Sequence, residues 1–316
     1  VNINYADEFY YKVRAVKLDN QDKVVETSSF STVSSRVVDS DELTKRLGIT
    51  DYWEYAEIDL PNGDVSIEKS KGNLVYQQVD AVLPNEQLEV NLNRTYNNKA
   101  TSKSCFGIGW NHEYDIELLT SYQKSDDLAE GSLVLKDSEG TLFYFSKQKD
   151  GSYISSMGKY INIYKEEQTK EVTIPDRNSE TENGKITKVI NSSYTMKTKD
   201  GEEYLFNSGG QLVYIGETNG NFLLFDYDIE KGLISKITTS KNISMEFVYY
   251  NESDKQNNQQ EIDVLTIKEV KLPDGSKINY NYTNSRLSSV VKHGSNNEED
   301  ITYTYLYDAD KNLTQI

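Results

Sequence analysis

The sequence has one cysteine, few alanines and no long hydrophobic run. The single Cys105 excludes an intrachain disulfide bond, so the cysteine content does not reveal the compartment. No apolar run approaches the roughly 18 residues of a transmembrane helix, and the first ten residues do not form a signal peptide. Seven alanines stand against 24 tyrosines among 316 residues, a composition that favours strands over helices.

Apolar residues and positive charge are also scarce. If glycine is counted as apolar and tyrosine is not, apolar residues make up about 34 % of the chain. By the same count, ordinary globular domains contain roughly 45–50 %. Together with the dense alternation of apolar and polar residues, this predicts sheets that contact water on both faces. The net charge is −17. Binding to nucleic acid requires basic residues that displace counterions, so the charge argues against a nucleic-acid partner and is typical of a soluble surface.

The first part of the chain predicts two strands and then a helix. Residues 8–38 contain two alternating segments around a polar turn, and "YKVRAV" followed by a Ser-rich strand resembles the end of a fibronectin type III domain. The earlier strands of such a sandwich are absent, so we interpret 1–38 as a fibronectin type III-like remnant. The segment 39–49, "DSDELTKRLGI", predicts one short helix near 40–48 within a connector at 39–60.

The remainder of the chain predicts strands. Turn pairs such as Asp200-Gly201, which accept the positive φ of tight hairpins, separate alternating segments from about residue 58 onward. Polar stretches near 121–131, 166–184 and 251–261 predict loops or insertions. The predicted fold class is therefore all-β.

A repeat begins near residue 200. Its units recur every 20–26 residues and combine a turn, an alternating strand, a Tyr-Asp or similar turn, and a second strand of the form Leu-x-x-Ile/Val. Each unit is one β-hairpin, and because a lone hairpin is unstable in water, the units are predicted to stack into a long antiparallel sheet. Tyr227 and Tyr307 are predicted to lay their rings on the next hairpin, while Asp228 and Asp308 bind the turn backbone.

These features resemble a bacterial family. The Tyr-Asp pairs at 227–228 and 307–308 resemble the tyrosine-aspartate (YD) repeats of Rhs proteins. The segments "LNRTYNN" and "FGIGWNHEYD" resemble the domain that opens the Rhs region in wall-associated and secreted members. The resemblance covers an opening β domain at 61–198 and YD-type hairpin repeats at 199–316. The residues that carry it are Gly107, Gly109, Trp110, His112, Tyr114, Asp115, Tyr227, Asp228, Tyr307 and Asp308.

The resemblance implies a β-sheet that winds as a spiral into a hollow shell around a C-terminal toxin or effector. It also implies a secreted or cell-wall-associated bacterial protein, whose partners are the rest of the parent chain and its C-terminal effector. The chain has four or five units and no recognisable effector, so we interpret it as a segment of a longer protein.

The cluster of His112, Glu113 and Asp115 admits a catalytic, a metal-binding and a packing interpretation. Alternation along a strand places the even-numbered side chains on one face and the odd-numbered ones on the other, which separates the histidine from both carboxylates. We therefore predict packing, with Gly107 and Gly109 serving a bulge or a close backbone approach. No catalytic residue, metal or cofactor is predicted, and Cys105 is interpreted as a buried, unreactive thiol.

Two functional classes follow from these patterns. The first is a non-enzymatic structural segment of an Rhs/YD-repeat shell that encloses or presents an effector. The alternative is an extracellular module that binds carbohydrate or a cell surface through exposed tyrosines. Aromatic rings buried between hairpins would favour the shell, and an exposed row of rings would favour the binding module. An enzyme is a distant third.

Overall fold

In the computed structural model the chain is almost entirely β, which confirms the predicted fold class. The structure describes residues 16–18, 24–27, 47–50, 53–60, 63–83, 90–119, 131–155, 161–177, 184–257, 265–294, 299–310 and 312–316. Strands make up 63 % of these residues, and the part of the chain that they represent contains one helix, α1. The elements are β1 Val16–Leu18, β2 Val24–Thr27, β3 Tyr55–Leu60, β4 Gly63–Glu68, β5 Leu74–Leu83, β6 Val90–Asn97, β7 Lys103–Ser104, β8 Gly107–Ile108, β9 Trp110–His112, β10 Glu117–Leu119, β11 Leu133–Lys136, β12 Leu142–Lys147, β13 Ser152–Ser155, β14 Ile161–Pro175, β15 Lys185–Thr198, β16 Glu203–Phe206, β17 Leu212–Gly216, β18 Phe222–Tyr227, β19 Ile234–Thr239, β20 Ser244–Tyr249, α1 Glu252–Asn257, β21 Ile267–Lys271, β22 Lys277–Thr283, β23 Arg286–His293, β24 Ile301–Thr304, β25 Leu306–Tyr307 and β26 Leu313–Gln315.

Most strands belong to one antiparallel sheet of 15 strands, β10 to β24, which we call the long sheet. Its spatial order is its chain order, so every neighbour in space is a neighbour in sequence and the sheet is a succession of hairpins. A second sheet of five strands, in the order β3-β4-β5-β6-β9, precedes it and is called the opening sheet. Three two-stranded pairs, β1-β2, β7-β8 and β25-β26, complete the described strands.

The long sheet curls back on itself. The backbone N–H of Leu118 in its first strand donates a hydrogen bond of 2.9 Å to the carbonyl of Gly210, in the turn between β16 and β17. An isolated bridge joins the neighbouring Glu117 to Gln211. These contacts satisfy an edge strand that would otherwise expose unpaired backbone groups.

The main core lies between the opening sheet and one face of the long sheet. It combines aromatic residues in or near the opening sheet, such as Trp110 and Phe106, with residues of later hairpins, such as Phe247 and Tyr280. A smaller cluster on the other face of the long sheet involves Ile174, because the outer half of the β14-β15 hairpin packs there against β16 to β18. A third cluster, formed by Leu119, Val134 and Leu142, is buried on that second face at β10 to β12.

Two stretches predicted as loops or insertions contain regular structure. In 166–184, residues 166–175 belong to β14, whose mostly polar side chains conceal the strand in the sequence. The stretch 251–261 begins with α1, which Asn251 caps. Asn251 Oδ1 accepts from the N–H groups of Ser253 and Asp254 at 2.8 and 3.0 Å, and Asp254 Oδ2 accepts from Asn251 N.

Other predictions lie partly outside the described residues. For the helix predicted near 40–48, residues 40–46 fall there, while Leu47 and Gly48 take no helical conformation. In the fibronectin-like region 1–38, the structure describes the antiparallel pair of β1 and β2. Among the described helices, none has the length and hydropathy of a membrane span.

Candidate functional site

The segment 106–115, which we call the Trp110 motif, lies where the opening sheet meets the last repeats, and most of its side chains are buried. The indole N–H of Trp110 donates a hydrogen bond of 2.9 Å to the hydroxyl of Tyr307, 197 residues later in the chain. The Trp110 ring packs at centroid distances of 5.2 Å from Tyr96 and 5.1 Å from Tyr305. Trp110 is fully buried. Trp110 therefore links the opening sheet to the β25-β26 hairpin, which carries the second Tyr-Asp pair.

Gly107 and Gly109 lie where the backbone of the opening segment approaches other parts of the chain. Both have positive φ, +87° and +85°. A Cβ atom on Gly107 would lie 2.6 Å from the carbonyl oxygen of Ser285, and one on Gly109 would lie 2.9 Å from the ring of Tyr96. The carbonyl of Ser285 also accepts a hydrogen bond of 3.0 Å from Ile108 N. Both positions therefore combine left-handed backbone with close approach, which only glycine accommodates without strain.

His112 is a buried ring among aromatic residues. Its nearest ring neighbours are Phe106 and Phe247, at centroid distances of 5.6 and 6.1 Å. Its Nδ1 atom faces the backbone N–H of Tyr114 at 3.3 Å. Burial lowers the pKa of His112 to about 4, so the ring is neutral at neutral pH.

The two carboxylates near His112 bind different partners. Asp115 Oδ2 accepts a hydrogen bond of 2.6 Å from Nζ of Lys136, and Glu113 Oε2 accepts one of 2.7 Å from Nδ2 of Asn93. The described residues contain no group of three or more His, Cys, Asp or Glu side chains that could hold a metal ion. The motif that looks like a catalytic cluster in the sequence is thus divided among separate contacts.

Cys105 is buried, and desolvation raises the pKa of its thiol. Its backbone makes hydrogen bonds to residues far away in the chain. The carbonyl of Cys105 accepts a hydrogen bond of 2.8 Å from Ile267 N in β21 and one of 3.4 Å from the hydroxyl of Tyr282. The backbone at Cys105 is therefore hydrogen-bonded to β21 and β22 of the long sheet.

The hydroxyl of each Tyr-Asp pair bonds to the preceding hairpin, and the predicted packing of the ring on the next hairpin stays a prediction. The Tyr227 hydroxyl donates to the carbonyl of Leu212 at 2.7 Å, and Tyr307 donates to the carbonyl of Leu287 at 2.8 Å. Asp228 Oδ1 accepts from two backbone N–H groups of its own turn, both at 2.9 Å. Asp308 Oδ1 likewise accepts from the backbone N–H of residue 312 at 2.8 Å.

Tyr249 makes the same contact without a following aspartate. Its hydroxyl donates to the carbonyl of Ile234 at 2.6 Å, and the separation of 15 residues equals that between Tyr227 and Leu212. Sequence reasoning did not select Tyr249, because Tyr250 and a polar insertion follow it where the repeat has aspartate and a tight turn. The 15-residue spacing from a tyrosine back to the first apolar residue of the preceding strand is the signal that finds it.

A buried charged cluster, absent from the sequence prediction, lies beside Trp110. We call it the Arg94 cluster, and its members are Gln78, Asp80, Arg94, Tyr280 and Tyr305. Arg94 donates to both carboxylate oxygens of Asp80, and the Nη2 contact with Oδ1 measures 2.9 Å. The same Nη2 lies 2.8 Å from Gln78 Oε1 and 2.9 Å from the hydroxyl of Tyr305. The hydroxyl of Tyr280 donates to Asp80 Oδ2 at 2.8 Å.

The charges in this cluster are compensated within the protein. The side chains of Arg94 and Asp80 have no exposed surface. Burial is the largest single influence and would lower the pKa of Arg94, but the charge and hydrogen bond of Asp80, together with Tyr305 and Tyr280, outweigh it and hold the pKa above its ordinary value. The guanidinium also lies 4.8 Å from the Trp110 ring centroid, in a cation–π contact. Because neither side chain reaches the surface, an external substrate cannot contact them. The geometry therefore supports a structural role, in which the cluster holds the opening sheet against the long sheet.

The local pattern does contain a signal for Arg94. In β6 the alternation that buries Leu92 and Tyr96 places Arg94 on the same face between them. A charged residue at an inward position requires a partner of opposite charge. Asp80 supplies it from β5, where the register shifts between Val79 and Ala81 so that Asp80 stands at a bulge.

The chain is similar to one uncharacterised domain family and to several large nucleases. A family model for a domain of unknown function (DUF6531) matches residues 66–145, which include Asp80, Arg94 and Trp110. The chain is 25 % identical over 228 residues to the tRNA nuclease WapA of Bacillus subtilis strain 168, and 26 % identical over 183 residues to the tRNA3(Ser)-specific nuclease WapA of Bacillus spizizenii. These alignments cover 72 % and 58 % of this chain, but 8 % and 6 % of the relatives. The chain thus spans less than a tenth of the length of the curated relatives that it matches.

Proposed function

We propose that this chain is a non-enzymatic structural segment of a secreted Rhs/YD-repeat protein, in which it opens a β shell that encloses or presents a C-terminal toxin or effector. The similarity to WapA nucleases supports a place within a much larger toxin-type protein. The succession of hairpins in the long sheet supports a structural role. The cell-wall or extracellular location belongs to the same proposal.

The observation that carries the proposal is the Arg94 cluster. Asp80 and Arg94 come from the opening sheet, whereas Tyr280 and Tyr305 come from repeats 200 or more positions later. Because these contacts are buried and specific in direction, they hold the opening sheet in one place on the repeats. Stacked hairpins need such a cover where their apolar face would otherwise contact water.

The domain boundaries belong to this proposal. We assign 1–38 to a fibronectin type III-like remnant, 39–60 to a connector, 61–198 to the opening β domain and 199–316 to YD-type repeats. The DUF6531 match at 66–145 lies inside the proposed opening domain. The change from the opening sheet to the long sheet occurs within that domain, between β9 and β10.

We further propose that the tRNA cleavage named for the relatives belongs to a different part of the parent protein. The net charge of −17 disfavours contact with the phosphates of RNA. The test is to incubate the purified chain with total tRNA and a divalent cation. We expect intact tRNA on a denaturing gel. Cleavage that survives repurification and is lost on a point substitution in this chain would overturn the non-enzymatic assignment.

The shell role is tested in the full-length parent protein. Arg94→Ala and Trp110→Ala each remove a contact between the opening sheet and the repeats, so each is expected to expose the C-terminal effector to added protease. The matched control is Lys69→Ala, which removes an exposed ion pair with Glu54 at 3.7 Å. Effector protection that is unchanged in both core variants, although each variant unfolds at a lower temperature, would contradict the proposal.

The alternative, a module that binds carbohydrate or a cell surface, needs exposed aromatic rings. Among the described aromatic residues, Tyr164 in β14 is the exposed one, at 41 %, and the tyrosines of the repeat hairpins are buried or half-buried. The distribution therefore favours the shell. Saturable binding of the purified chain to isolated bacterial cell wall, abolished by Tyr164→Ala, would support the alternative instead.

A further inference from the structure

Lys136 and Asp115 form a close pair beside the main core. Nζ of Lys136, in β11, lies 2.6 Å from Oδ2 of Asp115, in the segment between β9 and β10. Only 8 % of the lysine side chain and 21 % of the aspartate side chain are exposed. The pair joins the end of the Trp110 motif to the second strand of the long sheet, so it spans the junction between the two sheets.

Several buried side chains of the main core lie near the pair. The charge of Asp115 acts on the buried side chains of Cys105, His112 and Tyr249, which places all three around it. His112 is neutral at neutral pH, so it does not compensate Asp115. An amine and a carboxylate held 2.6 Å apart in one orientation are close to the geometry in which the nitrogen attacks the carboxyl carbon.

A second carboxyl group lies beside the pair. Glu117 is directly opposite Lys136 in the β10-β11 ladder, so their Cβ atoms are about 5 Å apart on one face of the sheet. Glu117 and Asp115 both raise the pKa of Tyr227 by their charge, although burial is the larger cause, so both carboxylates lie near the same hydroxyl. An amine, a carboxyl group to be attacked and a third group that can relay a proton are therefore present together.

We propose that Lys136 and Asp115 condense into an intramolecular isopeptide bond, with Glu117 as the proton relay. Transfer of one proton from the ammonium group to the carboxylate gives a neutral amine and a carboxylic acid. The amine nitrogen attacks Cγ of Asp115, Glu117 takes a proton from that nitrogen and returns it to the departing hydroxyl group, and one water molecule leaves. The products are an amide and water, with no change of oxidation state and no added reagent.

The bond would give this chain a covalent tie that its cysteine content cannot provide. It links the segment after β9 to β11, and so fixes the opening sheet to the long sheet independently of the Arg94 cluster. It forms only after folding has brought the two side chains together. The step requires no assumption about the effector or the shell.

The test is the intact mass of the folded, purified chain, followed by tryptic mapping. We expect a mass lower than the sequence mass by one water molecule, and a branched peptide in which trypsin has not cleaved after Lys136. Lys136→Arg and Glu117→Gln are expected to show the full sequence mass. The control Lys170→Gln, which removes a different ion pair, with Glu203, is expected to keep the loss of water.

The outcomes separate the proposal from an ordinary ion pair. A wild-type chain with native circular dichroism and the full sequence mass overturns it. Loss of water that persists in Lys136→Arg, or that maps to Asp115 without a branch to Lys136, assigns the loss to another reaction and overturns it as well. If Lys136→Arg does not fold, the wild-type chain is the test: a branched peptide at Lys136 supports the isopeptide bond, and its absence overturns it.

Discussion

The hydroxyl of Tyr280 donates a hydrogen bond of 2.8 Å to Oδ2 of Asp80, a residue 200 positions earlier in the chain. Asp80 also receives the guanidinium of Arg94, so one buried carboxylate gathers donors from the opening sheet and from the repeats. Removing either donor leaves the buried charge of Asp80 with fewer partners, and water cannot replace the lost one. The stability of the junction is therefore expected to depend on the cluster as a whole.

Arg94→Ala is expected to lower the free energy of unfolding by about 3–5 kcal/mol, because it leaves the charge of Asp80 buried without its main partner. Urea denaturation followed by fluorescence measures the change. The control Lys69→Ala, at an exposed ion pair, is expected to cost less than about 1 kcal/mol. Equal midpoints for the two variants would mean that the cluster does not fasten the sheets.

His112 is expected to make the protein less stable at acidic pH. The pKa is 6.5 in an unfolded chain and about 4 in the folded protein, where burial opposes the charged ring. Between these values the unfolded chain binds a proton that the folded chain does not. The contribution of His112 to stability is therefore constant above about pH 6.5 and declines toward pH 4, by about 3 kcal/mol at roughly 1.4 kcal/mol per pKa unit.

The measurement for His112 is the urea midpoint as a function of pH in the wild type and in His112→Gln. The variant is expected to be less stable at pH 7 but to lose less stability between pH 6.5 and pH 4. Parallel profiles for the two proteins would assign the decline to other groups and would contradict the depressed pKa of this residue.

Tyr249→Phe tests the contact shared by the repeats. It removes the hydroxyl that binds the carbonyl of Ile234 and leaves that buried oxygen without its donor, at an expected cost of about 1–3 kcal/mol. Tyr164→Phe, at an exposed ring in the same long sheet, is expected to change stability by less than about 0.5 kcal/mol. Thermal unfolding of both variants at one pH gives the comparison.

Gly210→Ala tests whether the long sheet curls back onto its first strand. The added Cβ would lie 1.7 Å from the carbonyl oxygen of Leu118. Gly220→Ala is a matched control, because its φ of +89° resembles the +85° of Gly210 while no atom lies within 4 Å of its Cβ. Both variants carry the strain of left-handed backbone, about 1–2 kcal/mol.

Gly210→Ala is expected to cost at least about 2 kcal/mol more than its control, because the turn must move away from β10. The difference in unfolding free energy between the two variants isolates the contact from the backbone strain. Similar costs for the two variants would indicate that the first strand and the β16-β17 turn are not in contact.

The sequence by itself determined the class of fold and the position of most repeat hairpins. Alternation with a period of two defines which side chains share a face, and turn pairs such as Asp200-Gly201 fix where a hairpin reverses. These signals are local, because each depends on residues a few positions apart. For the same reason β14 was missed over 166–175, where one face is exposed and the other is mostly half-buried, so polar residues occupy both faces and the sequence shows little alternation.

The tertiary structure alone decided what Asp80, Arg94 and the repeat tyrosines do. Alternation places Arg94 inward, but the identity of its partners depends on a bulge at Asp80 and on how far the long sheet has curled when it reaches Tyr280 and Tyr305. The curl is the sum of small twists over 15 strands, so no short stretch of sequence encodes it. The pairing of Lys136 with Asp115 has the same origin, since two sheets must dock before the side chains meet.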